Sequence, residues 1–349
     1  MQSAQKKQEF YTAYVERNAE YEGVFFMGVK TTGVFCRPSC TARTPKFENC
    51  EFFEDAQEAL LAGYRPCKKC QPMSLPNEES PLIKKLVAAV ENEPDKRWKD
   101  ADFKALGVDS STVRRQFKKR FGMTFVAYAR ARRMGIALKD IREGASVIEA
   151  QVSAGYESGS GFRDAFSRII GKAPSKEPEL VLKAEWIDTP IGAMLAIADD
   201  DGLYLLEFTS RRGLEREIER MRSQFKAVIL PGGTPVIDQL KTELASYFKG
   251  ELKTFKTPLV YCGTPFQGQV WDALQGIPYG STRSYAEQAV HIGNPNAVRA
   301  VARANGCNQI AILIPCHRVI GSDGSLTGYA GGLARKEWLL AHEKKHKIS

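Results

Sequence analysis

The sequence predicts a multidomain α+β protein, and three observations predict it. Its 349 residues exceed what a single hydrophobic core ordinarily serves, so two or three domains are expected from length alone. Two stretches read as linkers: Gln71-Pro72-Met73-Ser74-Leu75-Pro76-Asn77-Glu78-Glu79-Ser80-Pro81 and Lys172 to Pro178. Between them the pattern changes character, from paired cysteines to basic amphipathic helices, then to alternating strands and short helices with glycine turns. Four units follow, at residues 1–75, 80–177, 180–260 and 262–349. No run of about 18 apolar residues exists, so no membrane partner is expected.

The first unit carries Cys36-x3-Cys40 and, after 26 intervening residues, Cys67-x2-Cys70. Two close pairs set apart by a short module can wrap a tetrahedral Zn²⁺. A disulfide framework competes with this reading. The length of the chain, the lack of a secretory signal and the scattered lone cysteines favour a reduced thiol set and a cytoplasmic setting. Cys50, Cys262 and Cys307 read as idle thiols.

The second unit carries the charge. Residues 81–175 hold 19 Lys and Arg against 11 Asp and Glu, a net of +8 out of the chain's +9. Ser110 to Glu143 has ten basic residues and two acidic ones, interleaved with Val113, Phe117 and Phe121 at helical spacing. A basic face on amphipathic helices suits nucleic acid, with a solvated bundle as the bland alternative. Val113, Phe117, Phe121 and Gly122 recur 49 residues later as Phe162, Phe166, Ile170 and Gly171, which implies two similar helical units.

In the third unit, Trp186 to Ala198 and Leu203 to Phe208 alternate as strands, and Gly213 to Gln224 and Val236 to Phe248 have helical spacing. The fourth opens a helix at Asn294 to Asn296 that places Arg299 and Arg303 on one face. Ala311 to Ile314 reads as an apolar strand, followed by a glycine-rich hairpin. Ile314 to Ile320 reads Ile-Pro-Cys-His-Arg-Val-Ile, with Cys316 beside a histidine. A thiol attacks as thiolate, so it needs a base or a positive charge nearby, and His317 and Arg318 are candidates. Neighbours in extended chain point to opposite faces, so Cys316 and His317 require a bridging water or a bend at Pro315. The bland reading is a buried small hydrophobe beside a surface histidine.

From residue 262 on, the chain resembles the O6-alkylguanine-DNA alkyltransferases. The resemblance rests on the Cys316 string, Gly-Asn-Pro-x-Ala-x-Arg-Ala-Val around Arg299, Gly-Tyr-Ala-Gly-Gly-Leu ending at Leu333, and Lys-Glu-Trp-Leu-Leu-Ala-His-Glu ending at Glu343. It implies a winged-helix-like domain, supported by a ribonuclease H-like α/β subdomain, that flips a base and takes its alkyl group irreversibly. Carried over, Cys316 is the acceptor, His317 takes its proton through a water, and Glu343 orients the histidine. Asn308 holds a turn, Tyr285 donates to the leaving guanine, Arg299 fills the gap left by the base, and Val319 and Tyr329 line the pocket.

Phe10 to Pro72, with Lys-Thr-Thr-Gly-Val-Phe-Cys-Arg-Pro-Ser-Cys and Gly-Tyr-Arg-Pro-Cys-Lys-Lys-Cys-Gln-Pro, resembles the N-terminal domain of Ada-type repair regulators. This implies that Cys36 is both a zinc ligand and an acceptor of methyl groups from DNA phosphotriesters, with Arg43 at the DNA. A purely structural zinc is the alternative. Methylating one of four thiolates removes negative charge facing phosphate, so DNA affinity is expected to rise. The middle unit resembles the paired helix-turn-helix of AraC-type regulators. Ser111, Arg114, Arg115, Ser158, Ser160 and Arg163 are then best placed to contact double-stranded DNA, including an operator. The whole order resembles the Ada-type bifunctional repair proteins and transcriptional activators, which implies RNA polymerase as a partner and association with the nucleoid. A binding-only regulator and a Cys-His thiol hydrolase are the competing classes.

Overall fold

The computed structural model describes residues 3–73, 80–121, 123–170, 173–174 and 180–347. Both linkers lie partly outside these residues, as do Gly122 and Gly171 of the repeat.

The first unit begins with α1 (Ala4–Val15), N-capped by Ser3. A four-stranded sheet follows from β1 (Phe26–Val29), β2 (Val34–Cys36), β3 (Cys50–Phe53) and β4 (Arg65–Pro66), with α2 (Ala56–Leu61) between the last two. Strand order is β3-β1-β2-β4, and only β2 and β4 run parallel. Phe10 of α1 stacks on Phe25 at 4.3 Å, which closes a small aromatic core on one side of the four cysteines. So small a core gains much from a metal crosslink.

The second unit is helical: α3 (Pro81–Asn92), α4 (Asp100–Ala105), α5 (Ser110–Phe121), α6 (Phe125–Arg142), α7 (Val147–Ser153) and α8 (Gly159–Ile170). The repeat is real in space. Val113 and Phe117 pack with Phe125 in one core, Phe162 and Phe166 with Leu138 in another, and α6 serves both. Val228 and Leu230 of the third unit complete the second core.

That third unit is a sheet of β5 (Leu180–Thr189), β6 (Gly192–Ala198), β7 (Leu203–Phe208) and β8 (Ala227–Pro231), with α9 (Leu214–Phe225) and α10 (Pro235–Phe248). Its order is β7-β6-β5-β8, antiparallel except for β5 with β8. The expected strand over Trp186 to Ala198 is the end of β5, a turn and β6. Every residue of β6 and β7 is buried.

The fourth unit holds α11 (Pro265–Gln275), β9 (Arg283–Ser284), α12 (Tyr285–His291), α13 (Val298–Gly306), β10 (Val319–Ile320) and α14 (Leu333–Lys345). β9 and β10 form a short parallel pair. Two expectations are corrected here. Ala311 to Ile314 is not a strand: Ile310 makes one bridge to Leu206, Ile312 sits at φ +73°, and Leu313 N–H donates to Ala311 O at 2.9 Å. The run is apolar because it is buried on all sides, not because it is pleated. The glycine-rich stretch before α14 forms turns, with no strand pairing among the described residues. The third and fourth units share one core, from Met194 and Leu206 through Leu240 and Trp271 to Leu339. No described helix is long and apolar enough to cross a membrane.

Candidate active site and metal centre

Pro315 ends the buried turn, and Cys316–Arg318 then form a single 3-10 turn. That bend, in place of an extended strand, presents three consecutive functional side chains to a buried space. Cys316 is 8% exposed, while His317 and Glu343 are fully buried. Glu343 reaches them from the last turns of α14.

Glu343 accepts from every side. His317 Nε2 lies 2.8 Å from Oε1, and Arg318 donates through Nε at 2.9 Å and Nη2 at 3.0 Å. Tyr247 Oη donates to it at 2.9 Å, and the Gly280 N–H at 3.0 Å. Burial alone raises a carboxyl's pKa, but His317 and Arg318 outweigh it and hold Glu343 well below the usual carboxylate range. An ionised carboxylate only accepts, so His317 carries its proton on Nε2 and turns the lone pair of Nδ1 elsewhere. That Nδ1 is buried with no hydrogen-bond partner among the described residues. Burial pushes His317 down despite Glu343, which keeps the imidazole neutral and ready to take a proton.

Asn308, at the turn after α13, does more than hold that turn. Its Nδ2 donates to Ile314 O at 2.8 Å and to Cys316 Sγ at 3.1 Å, while Oδ1 accepts from Ile310 N–H at 2.9 Å. Burial pushes the Cys316 thiol up to about 11, with the Asn308 hydrogen bond opposing. The resting group is therefore a neutral thiol, one residue from an imidazole whose Nδ1 makes no hydrogen bond to it.

The other expected residues surround this centre. Val319 is fully buried on β10. Tyr329 lies edge-on to His317 at 6.5 Å between ring centres, and its hydroxyl is buried without a partner. Tyr285, first residue of α12, spends its hydroxyl proton on Thr327 O at 3.2 Å. Arg299 and Arg303 are exposed on α13. Sequence reasoning missed Lys336, fully buried with Nζ donating to Val319 O and Thr327 O, and lowered to about 8 by burial. It also missed the buried Glu207–Arg211 pair, at 2.6 Å, whose guanidinium donates to Asn308 O at 3.1 Å. Basic residues in a basic chain give no sign of burial; only the apolar neighbours of Lys336 on α14 hinted at it.

The second centre is the cysteine cluster. The Sγ atoms of Cys36, Cys40, Cys67 and Cys70 lie within 4.8 Å of one another. Sulfurs at about 2.3 Å from a tetrahedral Zn²⁺ stand roughly 3.8 Å apart, so this donor set fits that ion. Cys36 ends β2, Cys67 follows β4, and their pairing in the sheet brings the two halves together. Backbone N–H groups of Arg37 and Ala42 donate to Cys70 and Cys40, both at 3.5 Å. Behind the cluster, buried Glu22 pairs with Arg37 at 3.4 Å and accepts from Ser39 N–H. Cys50 stands apart, bonded to Lys46 O. Arg43 is exposed, as are Ser111, Arg114, Arg115, Ser158, Ser160 and Arg163 on the helical unit.

A buried Cys-His-Glu constellation and a separate four-thiol set that fits a metal ion, joined by a paired helical unit, define a protein with two thiol centres on either side of a helix-turn-helix-like module. Residues 9–73 match the metal binding domain of Ada, and residues 103–177 match a helix-turn-helix domain. Residues 182–261 and 265–345 match the ribonuclease-like and DNA binding domains of 6-O-methylguanine DNA methyltransferase. The bifunctional transcriptional activator/DNA repair enzyme Ada of Escherichia coli (strain K12) is 33% identical over 345 residues, 97% of this chain and 96% of the relative. A methylated-DNA–protein-cysteine methyltransferase of Methanosarcina acetivorans is 46% identical over 156 residues, 45% of this chain and 94% of the relative. A crystal structure of Mycobacterium tuberculosis OGT in complex with DNA is 42% identical, covers 48% of this chain and 94% of its own, and has a TM-score of 0.42. The chain belongs to the Ada family of bifunctional transcriptional activators and DNA repair enzymes.

Proposed function

We propose that the protein transfers methyl groups from O6-methylguanine in DNA to Cys316, and from DNA methylphosphotriesters to Cys36, each once. The observation that carries the first reaction is the buried histidine beside Cys316 whose Nε2 is fixed on Glu343, which leaves Nδ1 as its basic nitrogen. The Cys316 proton passes through a water to Nδ1, and the thiolate attacks the methyl carbon. A carbon–sulfur bond forms as the carbon–oxygen bond breaks, and the electron pair leaves on O6 of guanine. Tyr285, released from Thr327 O, donates a hydrogen bond to that leaving group. Arg299, exposed on α13, fills the place of the flipped base, and Val319 and Tyr329 wall the pocket. The thioether is stable and no group is placed to displace it, so the acceptor is consumed.

Cys36, Cys40, Cys67 and Cys70 hold Zn²⁺, which when bound keeps thiolates ionised at neutral pH. Cys36 is only 3% exposed and Cys70 is the more open sulfur, so support for Cys36 as acceptor comes from the motif around it. Methylation lowers the negative charge of the cluster, and Arg43 with the helical unit then holds DNA more tightly. Ser111, Arg114, Arg115, Ser158, Ser160 and Arg163 read or position the operator, and RNA polymerase is the partner through which activation works. The units divide at residues 1–75, 80–177, 180–260 and 262–349, and the protein works at the nucleoid.

Incubation with DNA carrying labelled methyl groups, followed by digestion and mass mapping, tests this. Label on Cys316 and Cys36 is expected. No label on any cysteine, or catalytic release of methyl without protein label, overturns it.

A further inference from the structure

The seam where the two helix-turn-helix units meet is not apolar. A cavity of about 390 Å³ there is lined by Arg97, Arg130, Arg133 and Arg168 against a single carboxylate, Asp164. Arg133 is 6% exposed; its Nη1 donates to Lys96 O at 2.6 Å, but its Nε is buried without a partner. The indole N–H of Trp98, also in the lining, is buried and unpaired too. Arg97 reaches Gly155 O at 3.2 Å and lies 5.7 Å from the Tyr156 ring. The guanidinium groups of Arg130 and Arg168 make no ion pair or hydrogen bond among the described residues.

Four guanidinium groups facing one carboxylate repel one another unless an anion enters. Burial pushes Arg133 down; the charge of Tyr156 and a hydrogen bond with it oppose this, and the charges of Arg97 and Arg130 add smaller downward contributions. Guanidinium forks match phosphate oxygens, and the unpaired indole N–H of Trp98 is a further donor in the lining. Position points to the source of that phosphate. Gly161, Asp164, Ala165 and Arg168 form the flank of α8 adjacent to Ser160 and Arg163, which are exposed. The cleft lining therefore shares α8 with the exposed residues Ser160 and Arg163.

We propose that the cleft between the two helix-turn-helix units binds a phosphate group, supplied by the DNA backbone between the stretches that α5 and α8 face. A phosphate held there fixes the spacing of the two units on the duplex. The inference rests on the helix-turn-helix reading of the second unit. A free phosphate ester shares the same chemistry, and the test separates the two sources.

Full-length protein is titrated with random-sequence duplex DNA across a salt series. Replacing both Arg130→Gln and Arg168→Gln is expected to make the log–log salt slope shallower by about 1, the value of one phosphate contact, and to weaken binding roughly tenfold. The double lysine variant is expected to keep most of the slope, and Lys139→Gln, on α6 outside the cavity lining, to leave it unchanged. Thermal midpoints equal to wild type show that the variants fold. An unchanged slope in the double glutamine variant, with Arg114→Ala and Arg163→Ala still weakening binding, overturns the cleft and spares the helix-turn-helix reading. Normal binding by those last two variants overturns both. Pyrophosphate that quenches Trp98 fluorescence while the duplex slope stays unchanged overturns the backbone as source.

Discussion

The two thiol centres solve one problem in opposite ways. Cys316 is kept neutral by burial and is followed by a neutral histidine held on Glu343, so its charge appears only when a proton is passed on. Cys36 sits in a cluster whose four sulfurs cannot all ionise without a cation, so its charge depends on metal already in place. One site draws its reactivity from the fold of the third and fourth units, and the other makes the fold of the first unit depend on its cofactor. Activation by proton transfer therefore belongs with a large shared core, and activation by metal with a small one.

The largest expected effect separates them directly. Stripping zinc with a chelator is expected to unfold the first unit and abolish transfer from phosphotriesters, while O6-methylguanine transfer stays within about twofold. Circular dichroism and the two transfer assays check this; equal loss of both activities would break the comparison. Next, Glu343→Gln removes the charge that fixes the Nε2–H tautomer of His317 and raises its basicity. Single-turnover rates on O6-methylguanine are expected to fall roughly a hundredfold. Phosphotriester transfer is expected to be unmoved.

A smaller effect is expected for Asn308→Ala, which deletes the hydrogen bond to Cys316 Sγ. Alkylation of Cys316 by a small electrophile is expected to need higher pH than in wild type, with the transfer rate reduced roughly tenfold. The smallest effect is on stability. Glu343 is depressed in the folded state, so its contribution is present above an unfolded value of about 4.3 and is lost as pH falls through and below it. His317 is lowered on folding, so its burial also favours the native state above about 6.5 and opposes it as pH falls. The urea midpoint of the last two units is expected to drop between pH 7.5 and 5, and a flat profile would count against the buried neutral imidazole.

What the sequence made legible was local: cysteine spacing, the repeat of Phe117 as Phe166, the turn signals and the strings around Cys316 and Glu343. These patterns lie within one or two turns of chain, where side-chain period and spacing report directly on structure. What it hid depends on distant chain. Lys336 looks like a solvated charge until Val319 and Thr327 arrive to satisfy it, and Arg318, a candidate for the thiol by adjacency, is spent on Glu343 instead. The short strand β8 is visible only through the partner it pairs with, β5. Ala311 to Ile314 misled because total burial erases period, leaving nothing to tell a pleat from a coil. The third unit supports the fourth. From the turn after β7 it sends Arg211 to the backbone at Asn308, which couples that turn to the one beside the acceptor thiol.

The most direct test of two separately activated sulfurs is the stoichiometry of methyl groups accepted by Cys316→Ala from DNA carrying both lesions. Full uptake from phosphotriesters with none from O6-methylguanine is the predicted result. Undiminished removal of methyl from O6-methylguanine by that variant would contradict the account.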